Sequence, residues 1–267
     1  MVRVFCWEAK GIKMKILDCS NYKSALISAS NVLSLSQERL IEILKAIQDT
    51  QDVSDYHHQC FSELLQYLNY EPTKLTSHWF HGTRIIDINS YFENGLMPKA
   101  EGYKILIPFL KGLAKNIEHS KHQSSMFGLS KLGKELLGQD DEGPFATLFK
   151  QKAQDKNYHF TQCPEAVEDI AEDLVGANFH VITESFMKVT RPALIEFIGE
   201  ADDTTLENTL YYLHQVIHGE SEHDAARRID AFFMGNGKTI PSDKIKAVHF
   251  LDNNEIVQNM NFAIPSQ

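Results

Sequence analysis

The sequence predicts an α+β fold, with helices first and a mixed, mostly antiparallel sheet body after them. Three observations predict it. Apolar residues recur at helical spacing through the first third of the chain. Short aromatic or β-branched runs closed by Gly and Asn appear from Leu75 onward. Helical patterns then alternate irregularly with such runs, without the regular βα repeat of a parallel sheet. The chain has 267 residues, of which 43% are hydrophobic and 10% aromatic, enough for a sizeable core.

Taken in order, Tyr22 to Leu33 is rich in Ala, Ser and Leu and reads as a helix. Ser34 to Gln48 is a second, with Ser36 as its cap, Glu38 in the first turn, and Leu40, Ile41, Leu44 and Ile47 on one face. Asp52 to Leu68 is a third, ended by Glu71-Pro72-Thr73. Leu75 to Thr83 reads as a strand running into a turn at Gly82. Asp87 to Asn94 is a short helix capped by Asp87 and stopped at Gly95. Residues from Gly102 to Lys156 lack period and read as a partly helical insertion, with an acidic loop from Gln139 to Pro144. Beyond it, Asn157 to Thr161 is a strand candidate, Pro164 opens a helix, and Ala193 to Ile198 is a strand. Leu206 to Ile217 is a helix. Ile229 to Met234 is a strand followed by a Gly235-Asn236-Gly237 turn, and Lys246 to Leu251 is the last strand. The expected organisation is a helical N-terminal region over 1–73 and a second domain over 74–267, with the insertion at about 99–156.

Composition excludes several classes. Lys plus Arg number 26 against 36 Asp plus Glu, a formal charge of -10, which argues against a general binder of duplex DNA or anionic membranes. No run approaches the roughly twenty apolar residues of a membrane span. Met1 to Leu17 carries scattered charges and no secretory pattern, so a cytoplasmic protein is expected. The four cysteines, Cys6, Cys19, Cys60 and Cys163, form no CxxC pair and read as free thiols. Cys163 precedes a predicted helix start, a position that lowers a thiol pKa, yet it has no assigned base and is read as non-catalytic. Phosphate-loop, dinucleotide and nucleophile-elbow motifs are absent.

Two segments carry chemistry. The first is His78-Trp79-Phe80-His81-Gly82-Thr83-Arg84, followed by Phe92-Glu93-Asn94-Gly95-Leu96. A His at a strand end can orient a ligand, and the adjacent Gly lets a ligand approach the backbone. The second groups His214, His218 and His223 with Glu220, Glu222 and Asp224. His214 and His218 have the i, i+4 spacing of helical metal ligands, but the Glu of H-E-x-x-H is missing, so a metal-dependent hydrolase stands as an alternative and no metal is assigned. His57, His58, His119 and His122 read as surface residues.

The first segment resembles the opening of the ADP-ribosyltransferase-like superfamily, that of diphtheria-type toxins and poly(ADP-ribose) polymerases. Tyr158-His159-Phe160-Thr161 with Pro164-Glu165-Ala166, then Arg191 to Phe197, then Thr239-Ile240-Pro241-Ser242-Asp243-Lys244-Ile245, follow in the order of that family's later elements. The resemblance spans Leu75 to Leu251 and implies a split sheet around a cleft for NAD, used as substrate. It implies that His81 holds the nicotinamide-side ribose and Gly82 pairs through its backbone with the carboxamide. Thr83 supports His81, and Tyr158 or Phe160, beside Thr161, gives the ring that stacks on nicotinamide. The reaction develops positive charge on the ribose, which a carboxylate, usually Glu, must offset. Here the late strand offers Asp230, one methylene shorter. Either Asp230 does this work, or Glu220 or Glu222 reaches in, or transfer is weak or absent and the chain is a binding or regulatory module. The acceptor class is open, as is the setting: toxin, phage-defence component or housekeeping enzyme.

Overall fold

The computed structural model describes residues 15–47, 56–71, 74–117, 143–155 and 162–262. The chain opens with strand β1 (Lys15–Leu17) and helices α1 (Tyr22–Leu33), α2 (Gln37–Ala46) and α3 (Tyr56–Tyr67). Strand β2 (Leu75–Ile85), helices α4 (Ile88–Asn94) and α5 (Lys99–Leu113), strand β3 (Phe145–Thr147) and the one-turn helix α6 (Lys150–Ala153) follow. Next come α7 (Glu165–Val175), α8 (Phe179–Val189), β4 (Arg191–Ala201), α9 (Asp203–Ile217) and α10 (Glu222–Arg227). Strands β5 (Phe232–Met234), β6 (Ile245–Phe250) and β7 (Ile256–Gln258) complete the chain.

Local chemistry sets the helix starts. Asn21 accepts a hydrogen bond from the Ser24 amide at the head of α1, Ser36 from Arg39 on α2, and Asp87 from Asn89 on α4. On α9, Asp202 and Thr205 satisfy each other's backbone amides as a capping box. The helix α4 ends at Gly95, whose φ of +80° suits a residue without Cβ. A Cβ there would also collide with the Ile240 carbonyl.

The described strands form one seven-stranded sheet in the order β5-β3-β2-β4-β6-β7, with β1 parallel to β2 at its lower half and all other pairings antiparallel. The α+β class is therefore as expected, while the strands make a continuous sheet instead of a split one. Phe145–Thr147, inside the segment read as an insertion, is a sheet strand paired to β2 and β5. Asn157 to Thr161 lies wholly outside the described residues.

The main core joins sheet and helices. Leu26, Ala29 and Val32 of α1, Leu40 and Leu44 of α2, Phe61 and Leu65 of α3, and Leu206, Leu210 and Leu213 of α9 pack in one cluster with Trp79, Ile195, Phe197 and Val248. The N-terminal helices thus share the sheet's core. A separate cluster, with Tyr103 and Leu110 of α5, Val167 and Ile170 of α7, and Ile182 and Phe186 of α8, forms a helical lobe. Arg84, at the end of β2, holds that lobe. It donates to the carbonyls of Gln162, Met187 and Thr190 at 3.2, 2.9 and 2.8 Å, and its Nε donates to Thr190 Oγ1 at 2.9 Å. No helix among the described residues is long and apolar enough to cross a membrane.

Candidate functional site

His81 sits on the longest strand pairing of the sheet, opposite Ile195 of β4. Its Nδ1 lies 2.6 Å from the Phe145 carbonyl on β3. A carbonyl only accepts, so Nδ1 carries the proton and Nε2 holds a lone pair. Burial pushes the imidazole pKa below its ordinary value, against the opposing pull of that carbonyl, which favours this neutral form. Nε2 has no hydrogen-bond partner among the described residues. Thr83, two residues on and on the same face, shares a side-chain hydrogen bond with Tyr91 of α4, whose phenol pKa burial raises. Tyr91 is an aromatic group beside the His-Gly-Thr strand that the sequence pattern did not single out.

Two of the segments quoted for the family resemblance meet directly. Leu96, just after Asn94-Gly95, and Ile240 exchange both backbone hydrogen bonds at 2.9 Å. Arg191 to Phe197 pairs along its length with β2 and is flanked by β6. Tyr158, Phe160 and Thr161 lie outside the described residues, as do His119 and His122.

Asp230 lies apart from His81. It precedes β5, its side chain is 83% exposed, and its Oδ1 accepts from Lys152 Nζ at 2.7 Å. Phe80, Thr147 and Phe232 form one row across β2, β3 and β5. Strands β2 and β5 therefore run in the same direction, and Asp230 is level with His78. Two strand spacings, about 10 Å, and three residues of rise, again about 10 Å, separate it from His81. The loop glutamates are engaged elsewhere. Glu220 pairs with Arg228 at 3.1 Å. Glu222 accepts from the Tyr22 amide, Gln151 Nε2 and the Tyr212 hydroxyl at 2.9, 2.9 and 3.1 Å, tying α1, α6 and α9 together.

The three histidines do not converge on one point. The rings of His214 and His218 stack 4.3 Å apart, but their Nε2 atoms face the Ile47 and Leu44 carbonyls at the end of α2, at 3.3 and 3.4 Å. His223 lies with Asp155 and Asp224 instead. No three His, Cys, Asp or Glu side chains among the described residues are grouped to hold a metal ion. His58 is at the surface, 3.2 Å from Glu207. Burial pushes the Cys163 thiol up to about 12, the reverse of activation at a helix start.

The densest charged cluster was missed in the sequence. Glu196, mid-strand in β4, is 5% exposed, and its carboxylate accepts from His78 Nδ1 and His249 Nε2 at 2.6 Å each and from Lys246 Nζ at 2.8 Å. Lys150 Nζ lies 3.2 Å from His249 Nδ1. Burial alone would push the Glu196 carboxyl up, but the bonds from His249, His78 and Lys246 outweigh it and hold the pKa well below the usual carboxylate range. The signal was available: a Glu inside the apolar run Ala193 to Ile198 must be paired if the strand is buried.

Comparison with protein-family models, curated proteins and solved structures finds no match.

Proposed function

We propose that this chain is an NAD-binding protein of ADP-ribosyltransferase type, acting in the cytoplasm on an acceptor of unassigned class. The observation that carries the reading is the fixed tautomer of His81. Its Nδ1–H is spent on the Phe145 carbonyl, leaving Nε2 as an acceptor with no partner among the described residues, at a half-buried position. A ribose hydroxyl is the natural donor to such an atom. Gly82 carries no side chain beside His81, and Thr83 with Tyr91 adds a hydroxyl and a ring on the His81 side. The adjacency of Leu96 and Ile240, two segments quoted for the resemblance, is further support. The free thiols Cys19, Cys60 and Cys163 agree with a reducing compartment.

In the transfer, the bond between nicotinamide and ribose C1 breaks, nicotinamide leaves with the electron pair, and an acceptor nucleophile or water bonds to C1. Asp230 is the carboxylate assigned to stabilise the ribose cation. Its separation from His81 and its bond to Lys152 favour a second reading, a nucleotide-binding module that does not turn NAD over.

A nicotinamide-release assay and calorimetric titration with NAD distinguish these readings. Transferase activity predicts release that His81→Ala abolishes while far-UV dichroism is unchanged. A module predicts NAD binding that His81→Ala weakens, with no release. Absence of both binding and release in the folded protein refutes both.

A further inference from the structure

On the opposite face of the sheet from His81, four basic side chains surround one buried carboxylate. The faces follow from register. His78 and Phe80 alternate with His81 along β2. Leu194 pairs with His249, and Glu196 with Ala247, so Glu196 and His249 share the His78 face. The next pair is Phe197 with Ile245, which leaves Lys246 as the extra residue of a bulge. In an unbroken strand Lys246 would point away from Glu196. The bulge turns it onto the same side, 2.8 Å from Oε1. The helix α6 closes over this face, with Ala153 against Phe80 and Leu194, and brings Lys150 to His249.

The hydrogen bonds leave a surplus of donors. The three bonds into Glu196 fix His249 with its proton on Nε2, so Nδ1 accepts from Lys150. Lys150 is then an ammonium bonded to a neutral ring, and it makes no ion pair among the described residues. Burial lowers its pKa, Glu196 and Asp18 pull it back up from a distance, and the Lys246 ammonium lowers it further. Asp18 itself accepts from the Ser20 amide. Lys246 keeps donors beyond its bond to Glu196 and is 32% exposed, so the cluster reaches solvent. His78 has its Nε2 without a partner among the described residues. A buried ionic group of this kind adds little net stability compared with apolar side chains of the same volume. Two ammonium groups with donors to spare, in a cluster that reaches solvent, point to an anionic ligand.

We propose that Lys150, Lys246 and His78 form a binding site for a phosphate group, with Glu196 and His249 as positioning residues. The two ammonium groups supply point charges suited to phosphate oxygens, and His78 Nε2, its Nδ1–H held by Glu196, can accept from the hydroxyl of a monoprotonated phosphate. The assignment is independent of the nucleotide reading, because His81 lies across the sheet.

The test uses the full chain, with inorganic phosphate and a phosphomonoester such as phosphoserine as probes. Side-chain nitrogen resonances of His78 and His249 are followed by NMR during titration, with chloride at matched ionic strength as the control. The expected result is a saturable shift of both rings that Lys150→Met and Lys246→Met each weaken by about tenfold or more, the loss of one charge-assisted contact. Tighter binding of the monoester identifies an esterified ligand; equal binding identifies the free ion. If neither probe shifts these rings in the wild-type protein beyond the chloride control, the proposal is overturned without recourse to any variant. Equal affinity in folded Lys150→Met and Lys246→Met overturns it as well.

Discussion

Replacing Glu196 by Gln keeps the shape of the side chain and removes its charge. Oε1 now accepts from His78 and Lys246, and Oε2 from His249. An amide offers one oxygen and one NH2, so at least one donor faces another donor. His249 cannot relieve this by switching tautomer without losing the Lys150 bond to Nδ1. Hydrogen bonds to a charged group contribute about 1.5–3 kcal/mol each, and removing one partner of a buried ionic group costs about 3–5 kcal/mol. We expect a loss of about 3–5 kcal/mol in urea unfolding followed by fluorescence, with the slope unchanged, and a fall in Tm of about 5–9 °C. The pH dependence gives a second readout. The folded pKa of Glu196 is depressed, so its contribution is complete above the unfolded value of about 4.3 and is lost as pH falls below it. Wild-type stability should fall by up to about 1.4 kcal/mol per pH unit from this group there, and Glu196→Gln should lack that part of the slope. A cost below about 1 kcal/mol, with the acid slope intact, would refute the account of a charge network centred on Glu196.

Two further outcomes follow from packing and burial. Gly199→Ala places a methyl within 2.8 Å of the Phe233 ring, 2.9 Å of Trp79 and 3.2 Å of Phe197. Overpacking of this kind costs about 1–3 kcal/mol, read as a lower denaturation midpoint together with a changed Trp79 emission; an unchanged midpoint would show that the three rings have room to shift. Burial pushes the Cys19 and Cys163 thiols up to about 12. At neutral pH both should resist an aromatic disulfide reagent in the folded protein and react on unfolding, as peptide mapping would detect; rapid native labelling of Cys163 would contradict its burial.

The parts of the fold legible in the sequence are those with long periods or explicit caps. Ser36, Asp87 and Pro164 mark helix starts where the structure has them. Strands β2, β4 and β6 are long enough for their apolar runs to show. Strands β1, β3 and β7 have three residues each, too few to establish alternation. Helix α5 falls in the stretch read only as unperiodic and partly helical; it runs through Gly102, Pro108 and Gly112, residue types that ordinarily punctuate a helix. Helix α8 carried a usable signal in Ile182 and Phe186, four apart. At the sites, His81 and Thr83 stood out through local spacing. The Glu196 cluster did not, because its members come from β2, α6, β4 and β6, up to 168 residues apart across a single contact. Strand register, a bulge and the packing of α6 bring them together. The same cause governs His214 and His218: spacing does put them on one helix face, but that the end of α2 takes their ring nitrogens is not legible locally.

Arg84 bonds the helical lobe to the sheet almost entirely through backbone carbonyls, and the lobe's apolar cluster is separate from the main core. Cooperativity between the two bodies therefore has a narrow channel. Amide protons of α5, α7 and α8 can exchange through openings that leave β2 and β4 paired. The residue after His81-Gly82-Thr83 is thus the point at which loosening of the lobe would first be felt by the proposed nucleotide site.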